Sequence, residues 1–235
     1  AFSLPPENLL TLIVPFSFGN ETQLPYLGRW YYWEVCIYGS FICTMLLVGA
    51  GKTYYKENIQ LYILLNLFII LALGSYTPLH AWLYDYMPGF NRFRSPAKFS
   101  FFFILIFALL SAKAFEQFRS QEKNRYGLFV AACASIFFLL AKLSQTPLGV
   151  SLIEEALLQI QGSGQTFDSG GPPPTLGTIA EYLSSHLLWL AFLGVALAIS
   201  FLFPELKRLR PVLLLSLVII ELLSFAFPVR SSRPF

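Results

Sequence analysis

The chain has 235 residues, of which 56% are hydrophobic and only 12% charged, with a formal net charge of +3. Its mean hydropathy is +0.61. A soluble domain carries about twice that charged fraction, and so small and dispersed a positive balance excludes a nucleic-acid partner read from charge. The apolar residues gather into long runs instead of recurring at the period of a half-buried strand or helix, and the class they imply is an all-α, polytopic integral membrane bundle.

In chain order, residues 1–32 are expected to form an extracytoplasmic segment with an interfacial helix, ending in the aromatic cluster Trp30-Tyr31-Tyr32-Trp33. A transmembrane helix needs roughly 20 mostly apolar residues. Six segments meet that criterion and are expected to build a transmembrane region over 33–228: about 33–51, 58–76, 98–118, 126–144, 179–203 and 211–228. Helix is required there, because lipid offers no partner to exposed strand N–H and C=O groups. Tyr54-Tyr55 sits where an interfacial belt belongs.

Three short connectors hold Lys52 and Lys56; Arg119, Lys123 and Arg125; and Lys207, Arg208 and Arg210. By the positive-inside rule they are cytoplasmic. The segments 1–32, 77–97, 145–178 and the tail 229–235 are then outside, and so are both ends. Lys113 and Glu116, near the inner end of their span, are expected to snorkel.

The outer segment 77–97 departs from the charge rule. Pro78 is placed to start a short helix that Pro88-Gly89 ends, with Leu79, Trp82, Leu83 and Tyr86 on one face. Such a helix lies flat on a membrane surface. Arg92, Arg94 and Lys98 follow, with Ser95 suited to the N-cap and Pro96 to the first turn of the next span. Two guanidiniums at a helix N-terminus suit a phosphate, with Arg94 the main contact and Arg92, Lys98 and Ser95 supporting it; the same cations would also suit anionic headgroups. Segment 145–178 carries Gln161-Gly162-Ser163-Gly164-Gln165 and Gly170-Gly171-Pro172-Pro173-Pro174. It reads as a loop with weak order over 161–175, either a plain linker or a mobile lid, preceded by an amphipathic helix near 149–160.

Other chemistry is sparse. Glu34 and Glu221 are the carboxylates placed at membrane depth, where an ionisable group is costly and a functional candidate, although water can reach the outer ends of their spans. His80 and His186 both fall near the outer leaflet, so a shared haem or metal is conceivable. No metal motif, phosphate loop or nucleophile set accompanies them, and no cofactor is expected. Cys36, Cys43 and Cys133 lie in apolar runs and serve as small hydrophobes. The chain opens at Ala1-Phe2 without an initiator Met and stops at Pro234-Phe235, so it is expected to be part of a longer polytopic chain, or a subunit whose tail leads to a further domain.

The run Gly74…Thr77-Pro78-Leu79…Tyr84…Pro88-Gly89-Phe90…Phe93-Arg94-Ser95-Pro96-Ala97-Lys98-Phe99 resembles bacterial YfhO-type membrane proteins, which belong with glycosyltransferases of the C fold (GT-C). Pro5-Pro6-Glu7-Asn8-Leu9-Leu10-Thr11-Leu12…Pro15…Gly19, Trp33-Glu34 with Tyr38-Gly39, and Ile220-Glu221-Leu222-Leu223 are similar to other parts of that family, where Asp is more usual than Glu at the last. The resemblance implies a transferase of the bacterial inner membrane that takes a polyprenyl-phosphate sugar on its outer face. It also implies a catalytic carboxylate in the first outer loop, a region this sequence does not contain, so no catalytic residue is assigned. Two other readings stay open: a non-catalytic structural or assembly subunit of a larger membrane complex, and a cofactor- or pigment-bearing subunit.

Overall fold

A computed structural model describes residues 2–20, 23–92, 94–120, 124–161 and 174–231. Among these residues the fold is all helical. The α-helices of the described residues are α1 (Tyr32–Val35), α2 (Phe41–Glu57), α3 (Ile59–Leu73), α4 (Pro78–Tyr86), α5 (Ser100–Ser120), α6 (Asn124–Ser144), α7 (Pro147–Gln161), α8 (Leu176–Leu202) and α9 (Arg210–Ser231). Among the described residues five stretches are long and apolar enough to cross a membrane: Ile59–Tyr76, Pro96–Phe118, Arg125–Ser144, Leu176–Leu202 and Arg210–Phe227.

The surface confirms the solvent these helices are made for. Only Ala72 is buried on the whole of α3, and Phe101, Leu109, Leu139, Phe192 and Val212 are exposed on α5, α6, α8 and α9. Patches of that kind are rare on soluble monomers, whereas in hydrocarbon they cost nothing. Helix contacts rely on small residues, as membrane interfaces do. α6 and α8 pack closely along their lengths, and a Cβ added at Gly194 of α8 would lie 2.8 Å from that of Ala134 on α6.

The expected first span, 33–51, needs correction. The chain there forms the single turn α1, an irregular stretch Cys36–Ser40, and then α2, which Gly51 breaks with φ +86°. An uninterrupted apolar helix of spanning length is therefore absent at this position. Ser40, the N-cap of α2, adopts φ 77° and accepts from the Cys43 N–H through its hydroxyl at 3.2 Å.

Of the segments expected outside, the described parts of 1–32 and 77–97 meet at one end of the bundle. Phe2 N–H donates to the Arg94 carbonyl at 3.0 Å, Ala97 N–H donates to the Phe2 carbonyl at 3.0 Å, and Leu4 N–H donates to the Ala72 carbonyl at 2.9 Å. Gly74 allows that approach: its φ is +50°, and a Cβ there would sit 2.4 Å from the Ser3 hydroxyl. A 3-10 helix, Pro6–Leu12, follows. Glu7 on it accepts two hydrogen bonds of 2.6 Å from Arg29, and that pairing raises the Arg29 guanidinium further above its ordinary range. Arg29 also reaches the Tyr76 hydroxyl at 3.2 Å. α4 matches the short helix expected after Pro78 and buries none of its residues. α7 matches the amphipathic helix expected near 149–160 and starts two residues earlier, at Pro147. The glycine- and proline-rich stretch 162–173 lies outside the described residues.

At the opposite end, two expected surface cations have specific partners. Lys113 donates from Nζ to the Asn58 side chain at 2.9 Å, bridging α5 to the α2–α3 junction. Arg210 is 1% exposed. Its Nε donates to the Ser200 carbonyl at 2.9 Å and its guanidinium lies 4.7 Å from the centre of the Phe201 ring. Ser200 is in the last turn of α8, where carbonyls lack an intrahelical donor, so Arg210 satisfies one of them and complements the helix dipole.

Candidate functional site

The arginine segment leads into a 3-10 turn, Pro96–Phe99, before α5 begins at Ser100. The expected Ser95 cap does not form. Ser95 has φ −132° and ψ 79° and makes no side-chain cap, and its buried Oγ has no partner. The backbone explains why: strand-like pairing with Phe2 on both sides of Ser95 fixes Arg94 and Ala97, leaving the hydroxyl away from the free N–H groups of the turn. Arg92, Arg94 and Lys98 are all exposed at this end of the bundle.

Lys98 lines a cavity. This space, about 750 Å³, lies between α1, the start of α5 and Phe225 of α9, and its polar wall comprises Glu34, Cys36, Tyr38, Lys98 and Ser100. The structure thus brings Glu34 to Lys98 across a common space. Glu34 Oε2 is buried with no hydrogen-bond partner. A buried carboxylate oxygen without a donor is costly, and a ligand hydroxyl is the kind of group that would satisfy it. Trp33 and Phe101 supply apolar walls.

A second cavity of about 480 Å³ shares Tyr38 and Ile104 with the first and runs between α2, α5 and α9. Its wall is almost wholly apolar: Leu46, Phe107, Ala108, Phe115, Leu215 and Val218 contribute most of it. The two cavities together offer a polar head space and an apolar tail space, meeting at Tyr38.

Tyr38 is held by Glu221, which is 1% exposed. The Glu221 carboxylate accepts from the Tyr38 hydroxyl, from Ser40 Oγ at 2.6 Å, and from the backbone N–H groups of Phe41 and Ile42, the latter at 3.2 Å. It accepts four hydrogen bonds and donates none, the pattern of a carboxylate. Two of those donors are the orphan N–H groups at the start of α2, where negative charge is favoured. Glu221 is therefore an anchor that fixes α2 and Tyr38 to α9, not a group open to a ligand.

The two histidines are apart. His80 meets Tyr84 and Phe90, whereas His186 meets Phe16 and Tyr182, so the two rings have no neighbour in common. Among the described residues no group of three or more His, Cys, Asp or Glu is placed to hold a metal. Sequence reasoning passed over Cys36, Tyr38 and Ser100 as lining residues. The signal for Tyr38 was there in the Gly39-Ser40 interruption of an apolar run, which marks irregular backbone at membrane depth.

Comparison with protein families, with characterised proteins and with solved structures finds no match for this chain.

Proposed function

We propose that this chain is the membrane part of a glycosyltransferase-like protein of the bacterial inner membrane that holds a polyprenyl-phosphate-linked sugar on its extracytoplasmic face. The observation that carries the reading is the cavity shared by Lys98 and Glu34, which meets an apolar cavity at Tyr38. In this reading the Lys98 ammonium takes the phosphate, Arg92 and Arg94 draw the anion in, and Glu34 Oε2 accepts a sugar hydroxyl. The isoprenoid chain lies along the apolar cavity between α2, α5 and α9. The outward assignment of this end follows from the cations Lys52, Lys56, Lys207 and Arg208 toward the other. No residue of this chain is assigned to bond-making.

The test is binding of polyprenyl phosphate, with and without a sugar, by the purified protein, followed by native mass spectrometry. Lys98→Ala is expected to weaken both ligands about tenfold or more, the scale of one lost hydrogen bond to a charged group. Arg94→Ala and Arg92→Ala are expected to cost only a few-fold each, as rim charges that steer more than they hold. Glu34→Gln should leave the bare phosphate lipid unchanged and weaken the sugar-bearing one. Equal binding by the parent and Lys98→Ala overturns the phosphate assignment and favours a structural subunit.

A further inference from the structure

A third cavity, about 340 Å³, shares Tyr38 and Phe225 with the Lys98 cavity but lies on their other side, against α8, and holds none of the groups assigned to the phosphate or the sugar above. It lies between the N-terminal segment, α8 and the outer part of α9, and its walls include Phe16, Gln23, His186, Trp189, Ser224 and Phe225. The aromatic wall is ordered: Phe16 stacks on Phe225 with centroids 5.3 Å apart, and His186 lies 5.0 Å from Phe16. Two of the lining side chains bear buried nitrogens without partners, His186 Nε2 and Trp189 Nε1. The hydroxyls of Tyr182 and Ser184, close by on α8, are likewise unpartnered. A buried indole N–H normally finds an acceptor, and Trp can only donate. The two unmet nitrogens in the wall, His186 Nε2 and Trp189 Nε1, are therefore a feature to be explained by what the cavity holds.

We propose that this cavity binds the head of an amphiphile, an uncharged ring bearing carbonyl or hydroxyl oxygens. The ring lies against Phe16 and Phe225 and accepts from Trp189 Nε1, with His186 and Gln23 bonding its remaining oxygens. Among the described residues no Asp, Glu, Lys or Arg lines the space, so its walls favour an uncharged head. That absence sets this site apart from the Lys98 cavity, and a phosphate head would have no counter-charge here. The chain of the amphiphile has a place as well. A cavity of about 380 Å³ shares Val14 with this one and is walled by Leu152, Ile153, Leu183 and Leu187 of α7 and α8. Two lipid classes carry such a head, prenyl quinones and neutral glycolipids.

The experiment uses the full chain in lipid nanodiscs with three probes of equal chain length: a decyl quinone, decyl glucoside and decyl phosphate. Binding is followed by the indole N–H resonance of Trp189, assigned by loss of its signal in Trp189→Phe. One neutral probe is expected to move that resonance saturably, and whether it is the quinone or the glucoside names the lipid class. His186→Phe, which keeps an aromatic wall, should weaken that probe about tenfold, as expected for one lost polar contact, while decyl phosphate leaves the resonance in place. Lys98→Ala should change nothing here, so failure of this site and failure of the phosphate site are distinguishable. If neither neutral probe moves the resonance at millimolar concentration, or if His186→Phe binds as tightly as the parent, the proposal is wrong.

Discussion

Glu221→Ala is expected to be the most destabilising single change in this molecule. It removes one acceptor and leaves four donors without a partner: the Tyr38 and Ser40 hydroxyls and the N–H groups of Phe41 and Ile42. Each buried donor left unmet costs about 1–3 kcal/mol. Relaxation around the irregular stretch Cys36–Ser40 recovers part of that, so the expected loss is above about 4 kcal/mol, in the range reserved for broken buried networks. Glu221→Gln should recover little, because its amide NH2 must face the backbone N–H of either Phe41 or Ile42, which can only donate. Tyr38→Phe, which removes a single bond to the carboxylate, should cost roughly 1.5–3 kcal/mol. Unfolding titrations in mixed micelles check the order. A Glu221→Gln variant as stable as the parent would show that the carboxylate is not the anchor described.

The second large effect is expected at Arg210. Its guanidinium bonds the Ser200 carbonyl and lies over Phe201 in a fully buried position. A desolvated cation–π contact is worth about 2 kcal/mol or more, and the exposed carbonyl at the end of α8 adds to the loss when the donor goes. Arg210→Ala should therefore destabilise by about 3 kcal/mol in the same titration. Arg210→Lys keeps the charge but loses the planar fork that stacks and bonds at once, so it should recover less than half. Lys207→Ala and Arg208→Ala, on exposed neighbours, should be close to neutral. If all three alanine variants behave alike, Arg210 is a surface cation like the others.

Much of the fold was legible in the sequence because lipid imposes simple rules. Runs of about 20 apolar residues have only the helix open to them, and five such runs are helices within a few residues of where the sequence places them. Pro78 and Pro88-Gly89 fixed the bounds of α4 through punctuation alone. The failure at 33–51 has a local cause: hydropathy cannot see that Ser40 takes a positive φ or that Gly51 leaves the helical region. Both are single-residue events inside an apolar stretch.

The candidate site was legible in composition and not in geometry. The sequence placed Arg92, Arg94 and Lys98 together, but not Lys98 and Glu34 in the walls of one cavity, a pairing more than sixty residues apart in the chain. Glu34 and Glu221 looked equivalent as carboxylates at membrane depth. Four donors from the chain's own α2 end meet Glu221, and one oxygen of Glu34 meets none. That difference lies wholly in tertiary structure. The same holds for His186, whose aromatic neighbours come from the N-terminal segment and α8.

The central claim, a phosphate-headed lipid seated between Lys98 and Glu34, is tested most directly by electron cryo-microscopy of the protein with added polyprenyl phosphate. The expected map has phosphate density within about 4 Å of Lys98 Nζ, inside the cavity walled by Trp33, Glu34 and Phe101, and chain density passing Tyr38 toward Phe107 and Leu215. Lipid density confined to the outer surface at Arg92 and Arg94, with the Lys98 cavity free of it, would contradict the account.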